Sequence, residues 1–245
     1  MIKKKLNRII QSLRITLNQL TPNIIKSYLA KSYWKNKYNT CNDGYANIIY
    51  EHSKIINVSL NQICEFGSHK GRNLKYFLDN NKNISATGID INPVVKDLEK
   101  TYKNYMGIIG DEKTLSKFDN NFFDLSFTFS VLDHIPSKKI VFQVLQDLIR
   151  TSKVVILLEP YIENVEGDVS NKARYMIKDG LINEIKCFNS FCYLWNYDKY
   201  LIDNNLNFTK KKLPLHKASL GPFYNIYIIT KKNSQNFSIF DKAII

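Results

Sequence analysis

A glycine-containing turn and an acidic residue lie at a spacing that suits the binding of a nucleotide. The turn is segment 65–71 (EFGSHKG), which comes directly after an apolar run. Such a turn lets the backbone approach a ligand closely and directs the N-terminus of the next helix toward it. A second apolar run ends in Asp90, about 20 residues after the turn, where a carboxylate can accept hydrogen bonds from both hydroxyls of a ribose.

Each of these two signals also has a simpler explanation. The turn lacks the GxGxxG spacing of a dinucleotide fingerprint, and residues 71–73 (GRN) could simply begin a helix. Asp90 could cap the helix that follows it, ahead of Pro93. The two signals together favour a ligand site, because their spacing matches that of nucleotide-binding α/β folds.

Polar residues also follow the third and fourth apolar runs. Asp111 comes directly after the third run, and the fourth run, 123–129 (FDLSFTF), leads into 130–136 (SVLDHIP). The latter segment contains Ser130 and His134. An imidazole there could take a proton from an acceptor hydroxyl, or it could merely shape the loop.

The elements that must position these residues alternate between strand and helix. Strands are predicted at 61–66, 84–90, 106–109, 123–129 and 153–158, with helices at 71–79, 93–101, 112–117 and 137–150. This alternation is typical of βαβ units and a parallel sheet. Two further strands, at 207–213 and 223–231, are predicted to add an antiparallel pair. A helix is also predicted ahead of the first strand, at 44–56.

The turn, Asp90 and the segments at Asp111 and Ser130, in this order and spacing, resemble class I S-adenosylmethionine-dependent methyltransferases. The resemblance covers residues 60–160, and the closing strand pair extends it to 231. It implies a doubly wound α/β fold, with a mostly parallel seven-stranded sheet and an antiparallel C-terminal strand pair. It also implies S-adenosylmethionine as the cofactor. A nicotinamide-dependent dehydrogenase is disfavoured by the turn spacing and by the closing strand pair.

The resemblance assigns a role to each candidate residue of the cofactor site. Glu65 and the turn would hold the methionine part, Asp90 the ribose hydroxyls, and Asp111 the adenine amino group. The full set of cofactor-binding residues that it implies is Glu65, Gly67, Ser68, His69, Gly71, Asp90, Ile91, Asp111 and Ser130. Ile91 would lie against the adenine and Ser130 beside the methionine. The family usually has a glycine where this chain has His69, so that side chain must point away from the cofactor, cover it or contact the substrate.

The acceptor is predicted to be a small molecule or a glycan. The Asn/Asp-Pro-Pro-Tyr/Phe segment of many nucleic-acid amine methyltransferases is absent after the fourth strand, and 159–161 (EPY) follows the fifth strand instead. Segment 130–136 resembles methyltransferases that act on small molecules, including sugars of surface polysaccharides and lipids. His134 is the candidate base for a hydroxyl acceptor. The alternatives are a nucleic-acid methyltransferase and a non-catalytic binding module with a methyltransferase-like fold.

The positive charge of the chain is concentrated at its N-terminus. The net charge is +13, and residues 1–42 carry nine basic groups and no acidic one. Lysine supplies 30 of the 35 basic residues, whereas phosphate-binding proteins favour the arginine fork. Nucleic acid is therefore a disfavoured partner. We divide the chain into a basic helical extension (1–42), a methyltransferase domain (43–231) with an aromatic substrate-side insertion (160–195), and a C-terminal tail (232–245).

Residues 1–20 are predicted to form an amphipathic helix. Apolar residues recur at three- and four-residue steps until Pro22 ends the pattern: Leu6, Ile9, Ile10, Leu13, Leu17 and Leu20. The helix could pack on the domain, contact a membrane surface, dock an acidic partner or act as an organelle-targeting peptide. The oligomeric state has no sequence signal.

The apolar runs and the cysteines predict a cytoplasmic protein that could contact a membrane only at the membrane surface. No apolar run approaches the roughly 20 residues of a membrane-spanning helix, and the start lacks the apolar core of a secretory signal. The four cysteines, Cys41, Cys64, Cys187 and Cys192, show no metal-ligand spacing and are predicted to be reduced thiols. No metal site is predicted.

Overall fold

Five parallel strands and an antiparallel pair form one mixed sheet. The computed structural model describes residues 23–36, 47–56, 58–161, 185–187, 192–213 and 223–231. The strands are β1 (Gln62–Phe66), β2 (Ser85–Asp90), β3 (Tyr105–Ile109), β4 (Phe123–Phe129), β5 (Ser152–Tyr161), β6 (Ile185–Cys187), β7 (Cys192–Leu194), β8 (Asn207–Leu213) and β9 (Phe223–Thr230). The sheet order is β3-β2-β1-β4-β5-β9-β8, and β6 pairs with β7 as a separate hairpin. Strand β9 runs antiparallel to both of its neighbours, β5 and β8, so β9 alone opposes the direction of the other six strands.

Helices connect these strands and cover both faces of the sheet. The α-helices are α1 (Asn23–Lys35), α2 (Ile48–Ser53), α3 (Arg72–Asn80), α4 (Lys138–Thr151) and α5 (Tyr197–Asp203). Three 3₁₀ helices span Pro93–Lys100, Leu115–Lys117 and Leu132–His134.

The central strands are apolar along their whole length because helices cover both faces. In β5, Val155 and Leu157 pack with α4 and α5, whereas Ile156 and Leu158 pack on the opposite face with α2 and α3. Successive side chains of these strands point to opposite faces of the sheet, and both faces are buried. The central strands are therefore continuous apolar runs in the sequence, without alternating polar residues. The fold is therefore doubly wound, as the sequence predicted.

The sheet order creates one crevice where a ligand can bind. The chain runs outward from β1 through β2 to the edge strand β3, then returns to β4 on the other side of β1. In open α/β sheets, ligands bind outside the carboxyl ends of the strands at this kind of switch point. All ten candidate site residues lie at the carboxyl ends of β1 to β4 or directly after them.

The seven main strands agree with the sequence prediction to within about three residues at each end. The observed helices agree less well with the sequence prediction. The stretch predicted at 93–101 is a 3₁₀ helix, and the one predicted at 112–117 shrinks to Leu115–Lys117, since Asp111 accepts from the backbone N–H of Lys113 and forms a turn there. The helix predicted at 44–56 is helical only over Ile48–Ser53 within the described residues.

Three elements were not predicted: α1, α5 and the β6–β7 hairpin. The predicted helix at 1–20, the tail 232–245 and most of segment 160–195 lie outside the described residues. Cys64 is a free, buried cysteine, in agreement with a reduced thiol. No helix in the described ranges is long and apolar enough to cross a membrane.

Candidate cofactor and acceptor site

The turn after β1 is held in shape by the end of β2. The backbone N–H groups of Gly67 and Ser68 both donate to the Ile89 carbonyl, at 2.7 and 3.1 Å. Gly67 has φ +80°, and a Cβ there would lie 2.3 Å from Val131 Cγ2, so only glycine fits beneath that side chain. Gly71 has φ +68° and begins α3 in the left-handed conformation. The two predicted glycines are therefore required by the geometry of the turn.

His69 occupies the third left-handed position of the turn, with φ +47°. A side chain in this region costs backbone energy, which explains why glycine is the more usual choice. The backbone N–H of His69 donates to Asp90 Oδ2 at 2.7 Å. His69 thereby links the turn to β2.

Asp90, the predicted ribose-binding acid, ends β2 at the carboxyl edge of the sheet. Its other oxygen, Oδ1, accepts from the backbone N–H of Asn92 at 2.8 Å. A carboxylate offers about four acceptor positions, so each oxygen can still accept one hydroxyl. Burial raises the pKa of Asp90, while the N–H groups of Asn92 and His69 oppose that shift. These residues fit the ribose of S-adenosylmethionine.

Glu65 and Ser68 are the buried polar residues of the turn segment. Glu65 is almost fully buried, and its Oε1 accepts from Asn73 Nδ2 of α3 at 2.5 Å. Ser68 is also buried, and its hydroxyl closely approaches Gly88 of β2, where a Cβ would lie 2.5 Å from Ser68 Oγ. Ile91 follows β2 and is half-buried. All three predicted positions therefore lie at or directly after the carboxyl ends of β1 and β2, with Glu65 and Ser68 in the interior.

Asp111 is engaged by a residue that the sequence did not single out. Lys31 Nζ of α1 lies 2.9 Å from Asp111 Oδ2 and 2.9 Å from Glu112. The side chain of Asp111 remains about one-third exposed, so its carboxylate keeps acceptor capacity for an adenine amino group. In the sequence, only the concentration of basic residues at the N-terminus indicated that this segment could form ion pairs with acidic residues.

Helix α1 also reaches the loops after β2 and β4 through Trp34. The Trp34 carbonyl accepts from Asn92 Nδ2 at 3.1 Å. Its indole ring lies 4.1 Å from the imidazole of His134, centroid to centroid, with the planes tilted by 37°. Helix α1 therefore contacts the segments that follow β2, β3 and β4, on both sides of β1.

The segment after β4 carries the candidate acceptor-side residues. Ser130 has φ +52°, and its hydroxyl lies 3.2 Å from the Tyr224 hydroxyl of β9. His134 Nε2 lies 3.7 Å from Asp133 Oδ1, and the imidazole is largely buried. Asp133 can stabilise a proton that His134 accepts, which is the arrangement expected of a general base.

Glu159, at the carboxyl end of β5, supports this segment from below. It is fully buried, and its Oε1 accepts from Thr128 Oγ1 at 2.7 Å. The backbone N–H of Val131 donates to both of its oxygens, at 3.1 and 3.2 Å. Burial and the nearby Asp133 carboxylate raise the pKa of Glu159. Sequence reasoning considered Glu159 only as part of a motif, because its partners are distant in the chain.

Two aromatic residues of the predicted substrate-side segment lie in the core. Trp195 is buried and its Nε1 donates to the Leu132 carbonyl at 2.9 Å, while Tyr197 is fully buried. These two side chains therefore pack in the interior, where Trp195 holds the segment after β4, and they do not line an open acceptor pocket. Other aromatic residues of this part of the chain were also predicted to roof the acceptor. Tyr175, Phe188 and Phe191 lie outside the described residues, and the structure describes the backbone but not the side chains of Tyr161 and Tyr193. The part of the chain that can be described holds no metal-binding cluster of His, Cys, Asp and Glu.

Residues 64–157 match a family described as "Methyltransferase domain". No curated protein sequence matches the chain significantly. Among solved structures, an O-methyltransferase family protein from Burkholderia thailandensis aligns with a TM-score of 0.54 at 9% identity, over 77% of this chain and 57% of the other. The chain thus spans little more than half of that protein's length.

Two further structures contain the product of the cofactor. The 1,6-didemethyltoxoflavin-N1-methyltransferase of Burkholderia thailandensis, with its acceptor and S-adenosylhomocysteine bound, has a TM-score of 0.55 at 12% identity, over 93% of this chain and 89% of the other. A phosphoethanolamine N-methyltransferase of Haemonchus contortus, with phosphomonomethylethanolamine and S-adenosylhomocysteine, has a TM-score of 0.57 at 11% identity, over 83% and 56%. At identities this low, the solved structures support only the fold of the chain. The family that residues 64–157 match supports methyl transfer as the reaction. Residues 64–157, less than half of the chain, therefore match a methyltransferase domain, and the fold resembles that of methyltransferases that bind S-adenosylhomocysteine.

Proposed function

We propose that this protein methylates a small-molecule or glycan acceptor, in the assembly of surface polysaccharides, in the cytoplasm and in peripheral contact with the membrane. The observation that carries the proposal is the pairing of Trp34 with His134. An indole and an imidazole meet at the crevice, beside Ser130, where the methionine end of the cofactor would lie. An aromatic wall of this size suits one ring of a small molecule or sugar.

S-adenosylmethionine, when bound, supplies an activated methyl group on a sulfonium. The chain's own residues must then hold the reactants in line and exclude water, which by itself can supply much of the rate. Asp90 and the turn would hold the cofactor. Trp34 and helix α1 would cover it. A hydroxyl acceptor also needs a base, and His134 backed by Asp133 can take that proton.

The structural relatives that have acceptors bound support a small acceptor. One holds 1,6-didemethyltoxoflavin and another holds phosphomonomethylethanolamine. A glycan is proposed in addition, because segment 130–136 resembles sugar methyltransferases and because aromatic faces stack on sugar rings.

The test is methyl transfer to a defined extract. We expect purified protein, given S-adenosylmethionine, to add about 14 Da, the mass of CH₂, to one small molecule or glycan in cell extract, detected by mass spectrometry. Asp90→Ala protein is the matched control. A labelled methyl group that reaches no extract component would instead support a non-catalytic binding module.

The basic N-terminal segment supports nucleic-acid methylation as a second candidate. Residues 1–42 carry nine basic groups and no acidic one. We expect weak retention on heparin that ends at moderate salt. Retention on RNA with a steep salt dependence, together with labelled RNA in the extract assay, would favour the nucleic-acid reaction.

A further inference from the structure

Asn73, in the first turn of α3, makes a buried hydrogen bond to the predicted cofactor residue Glu65. Asn73 Nδ2 donates to Glu65 Oε1 at 2.5 Å, and the two residues are only 3% and 1% exposed. Glu65 belongs to the central strand β1, where it is in register with Gly88 of β2 and Phe127 of β4. The bond therefore ties helix α3 to the strand at the centre of the predicted cofactor site.

The Asn73 side chain does not cap its own helix. Helix α3 begins at the N-cap Gly71 without a side-chain cap, and Asn73 Oδ1 is buried with no hydrogen-bond partner in the described part of the chain. A buried carbonyl without a partner lowers stability, and an apolar side chain at this position would avoid that cost. Neither capping nor packing therefore explains the amide. Within the described residues, its side chain bonds only to Glu65.

Glu65 has the charge to bind one particular group of the cofactor. The methionine part of S-adenosylmethionine carries an ammonium and a carboxylate, and only the ammonium attracts a carboxylate side chain. An ammonium group has donors only, so it requires acceptors that are already directed toward it. Each carboxylate oxygen can accept twice, so Glu65 can accept from Asn73 and still accept from a ligand. Asn73 is therefore placed to set the orientation in which Glu65 meets the ammonium.

We propose that Asn73 is a positioning residue, which orients the Glu65 carboxylate toward the ammonium group of the cofactor's methionine part. Its N–H also stabilises the negative charge of Glu65 in the interior, where a carboxylate without hydrogen bonds is unfavourable. The proposal rests on the proposed function, because it requires the cofactor site described above. Loss of the Asn73 amide weakens recognition of the methionine part and leaves recognition of the adenosine part unchanged.

The test compares two ligands by calorimetry, S-adenosylhomocysteine and 5′-methylthioadenosine. The second keeps the adenosine and the sulfur but lacks the amino and carboxyl groups. We expect Asn73→Ala to bind S-adenosylhomocysteine about tenfold or more weakly than wild type, equivalent to about 1.4 kcal/mol or more. The same variant should bind 5′-methylthioadenosine within about twofold of wild type, because that ligand has no ammonium for Glu65 to hold. Equal losses for both ligands, or no loss for either, would overturn the proposal.

A double-mutant cycle tests whether Asn73 acts through Glu65. Glu65→Gln should also lose affinity for S-adenosylhomocysteine selectively, because the charge that attracts the ammonium is gone. Addition of Asn73→Ala to Glu65→Gln should lower the affinity by less than about twofold further, since there is no longer a carboxylate to orient. Additive losses would show that Asn73 acts independently of Glu65, which contradicts the positioning role.

Two control variants separate the ligand effects from each other. Asn80→Ala is the matched control, since Asn80 is an exposed asparagine at the other end of α3 whose side chain donates to the Tyr76 carbonyl at 2.7 Å. It should bind both ligands as wild type does. Asp90→Ala should weaken both ligands, because both carry the ribose. A selective loss in Asn73→Ala then differs from either control.

Asn73→Leu provides a second variant if Asn73→Ala does not fold. Leucine has a similar size and no buried polar atoms, so the fold should persist, and the same selective loss of S-adenosylhomocysteine is expected. Wild type that binds neither ligand would refute the proposed function together with this role of Asn73. Wild type that binds both ligands, with Asn73→Leu unchanged toward both, would refute the role of Asn73 alone.

Discussion

Asp90 organises the site before any ligand arrives. One of its oxygens accepts from the cofactor turn at His69, and the other accepts from Asn92 at the start of the next helix. The same carboxylate therefore fixes the spacing between the turn after β1 and the segment after β2. Ribose hydroxyls would meet acceptors whose positions are already set, which lowers the entropy cost of binding.

The first residue-scale prediction concerns this carboxylate. Asp90→Ala should weaken binding of S-adenosylmethionine by about 10–100-fold, because two charge-assisted hydrogen bonds of roughly 1.5–3 kcal/mol each are lost before water compensates. Calorimetry on folded protein measures the change. Asp97→Ala is the control, since Asp97 is an exposed acid on the next helix that pairs with Lys100. Equal affinities of Asp90→Ala and wild type would remove Asp90 from the ribose site.

The second residue-scale prediction concerns His134. If the acceptor is a hydroxyl, His134→Ala should lower turnover by about 10²–10⁴-fold with cofactor affinity nearly unchanged, because the base is lost and the cofactor contacts remain. Free imidazole ionises near pH 6.5, so the wild-type rate should rise through the neutral range. Steady-state kinetics with the identified acceptor provides the measurement. A loss below about tenfold indicates an amine or thiol acceptor, and a joint loss of cofactor binding and melting temperature indicates a structural role.

Residues of the cofactor site were predictable where the chemistry is local in sequence. Asp90 ends β2, and Gly67 and Asp111 follow within two residues of the ends of β1 and β3, so strand periodicity was enough to place them at one edge. Lys31, Trp34 and Glu159 could not be placed in this way. Lys31 meets Asp111 across 80 residues, and Glu159 meets Val131 across 28, and neither separation leaves a periodic pattern. Their roles depend on tertiary packing.

At the element scale, helix α1 shows that part of the N-terminal segment packs on the domain. It contacts the segments after β2, β3 and β4 through Lys31 and Trp34. Part of the predicted basic extension therefore packs on the segments at the carboxyl edge of the sheet. The apolar residues Ile25, Leu29 and Tyr33 of α1 recur at four-residue steps, so the sequence does carry a helical signal ahead of residue 36. The parallel strands were predicted well, because burial on both faces produces unmistakable apolar runs.

The element-scale prediction ranks the two contacts that hold α1. The Lys31 ion pairs are partly exposed and should contribute at most about 1 kcal/mol, whereas removing a large aromatic contact costs about 2–3 kcal/mol. Hydrogen exchange of amides in 23–36 should therefore accelerate about 30-fold or more in Trp34→Ala and less than about fivefold in Lys31→Ala. Tyr28→Ala, at a side chain that is 72% exposed, is the control.

Exchange in β5 reports whether a variant loses global stability instead of local packing. Acceleration confined to 23–36 supports a helix that covers the crevice independently of the sheet. The opposite ranking, with Lys31→Ala faster than Trp34→Ala, would show that charge rather than aromatic contact holds the helix.

At the scale of the whole molecule, the charge is divided unevenly along the chain. Residues 1–42 account for +9 of the net +13, which leaves 13 − 9 = +4 for the other residues. Lys31 uses its charge within the protein, on Asp111 and Glu112. Further basic groups, including Lys3, Lys4 and Lys5, lie in the predicted helix 1–20, and such groups attract a negatively charged surface.

The last prediction tests that surface as a membrane. A basic amphipathic helix binds anionic lipid through apolar burial and through attraction of roughly 1 kcal/mol per basic residue, which salt screens. Full-length protein should therefore float with anionic vesicles at low salt, separate from them at high salt, and float less with neutral vesicles. Reversal of the charges at Lys3, Lys4 and Lys5 to glutamate should abolish flotation and leave cofactor affinity intact, since none of the predicted cofactor-binding residues lies in that segment. Protein that ignores both kinds of vesicle would restrict residues 1–20 to packing on the domain, and the acceptor would then have to reach the crevice from solution.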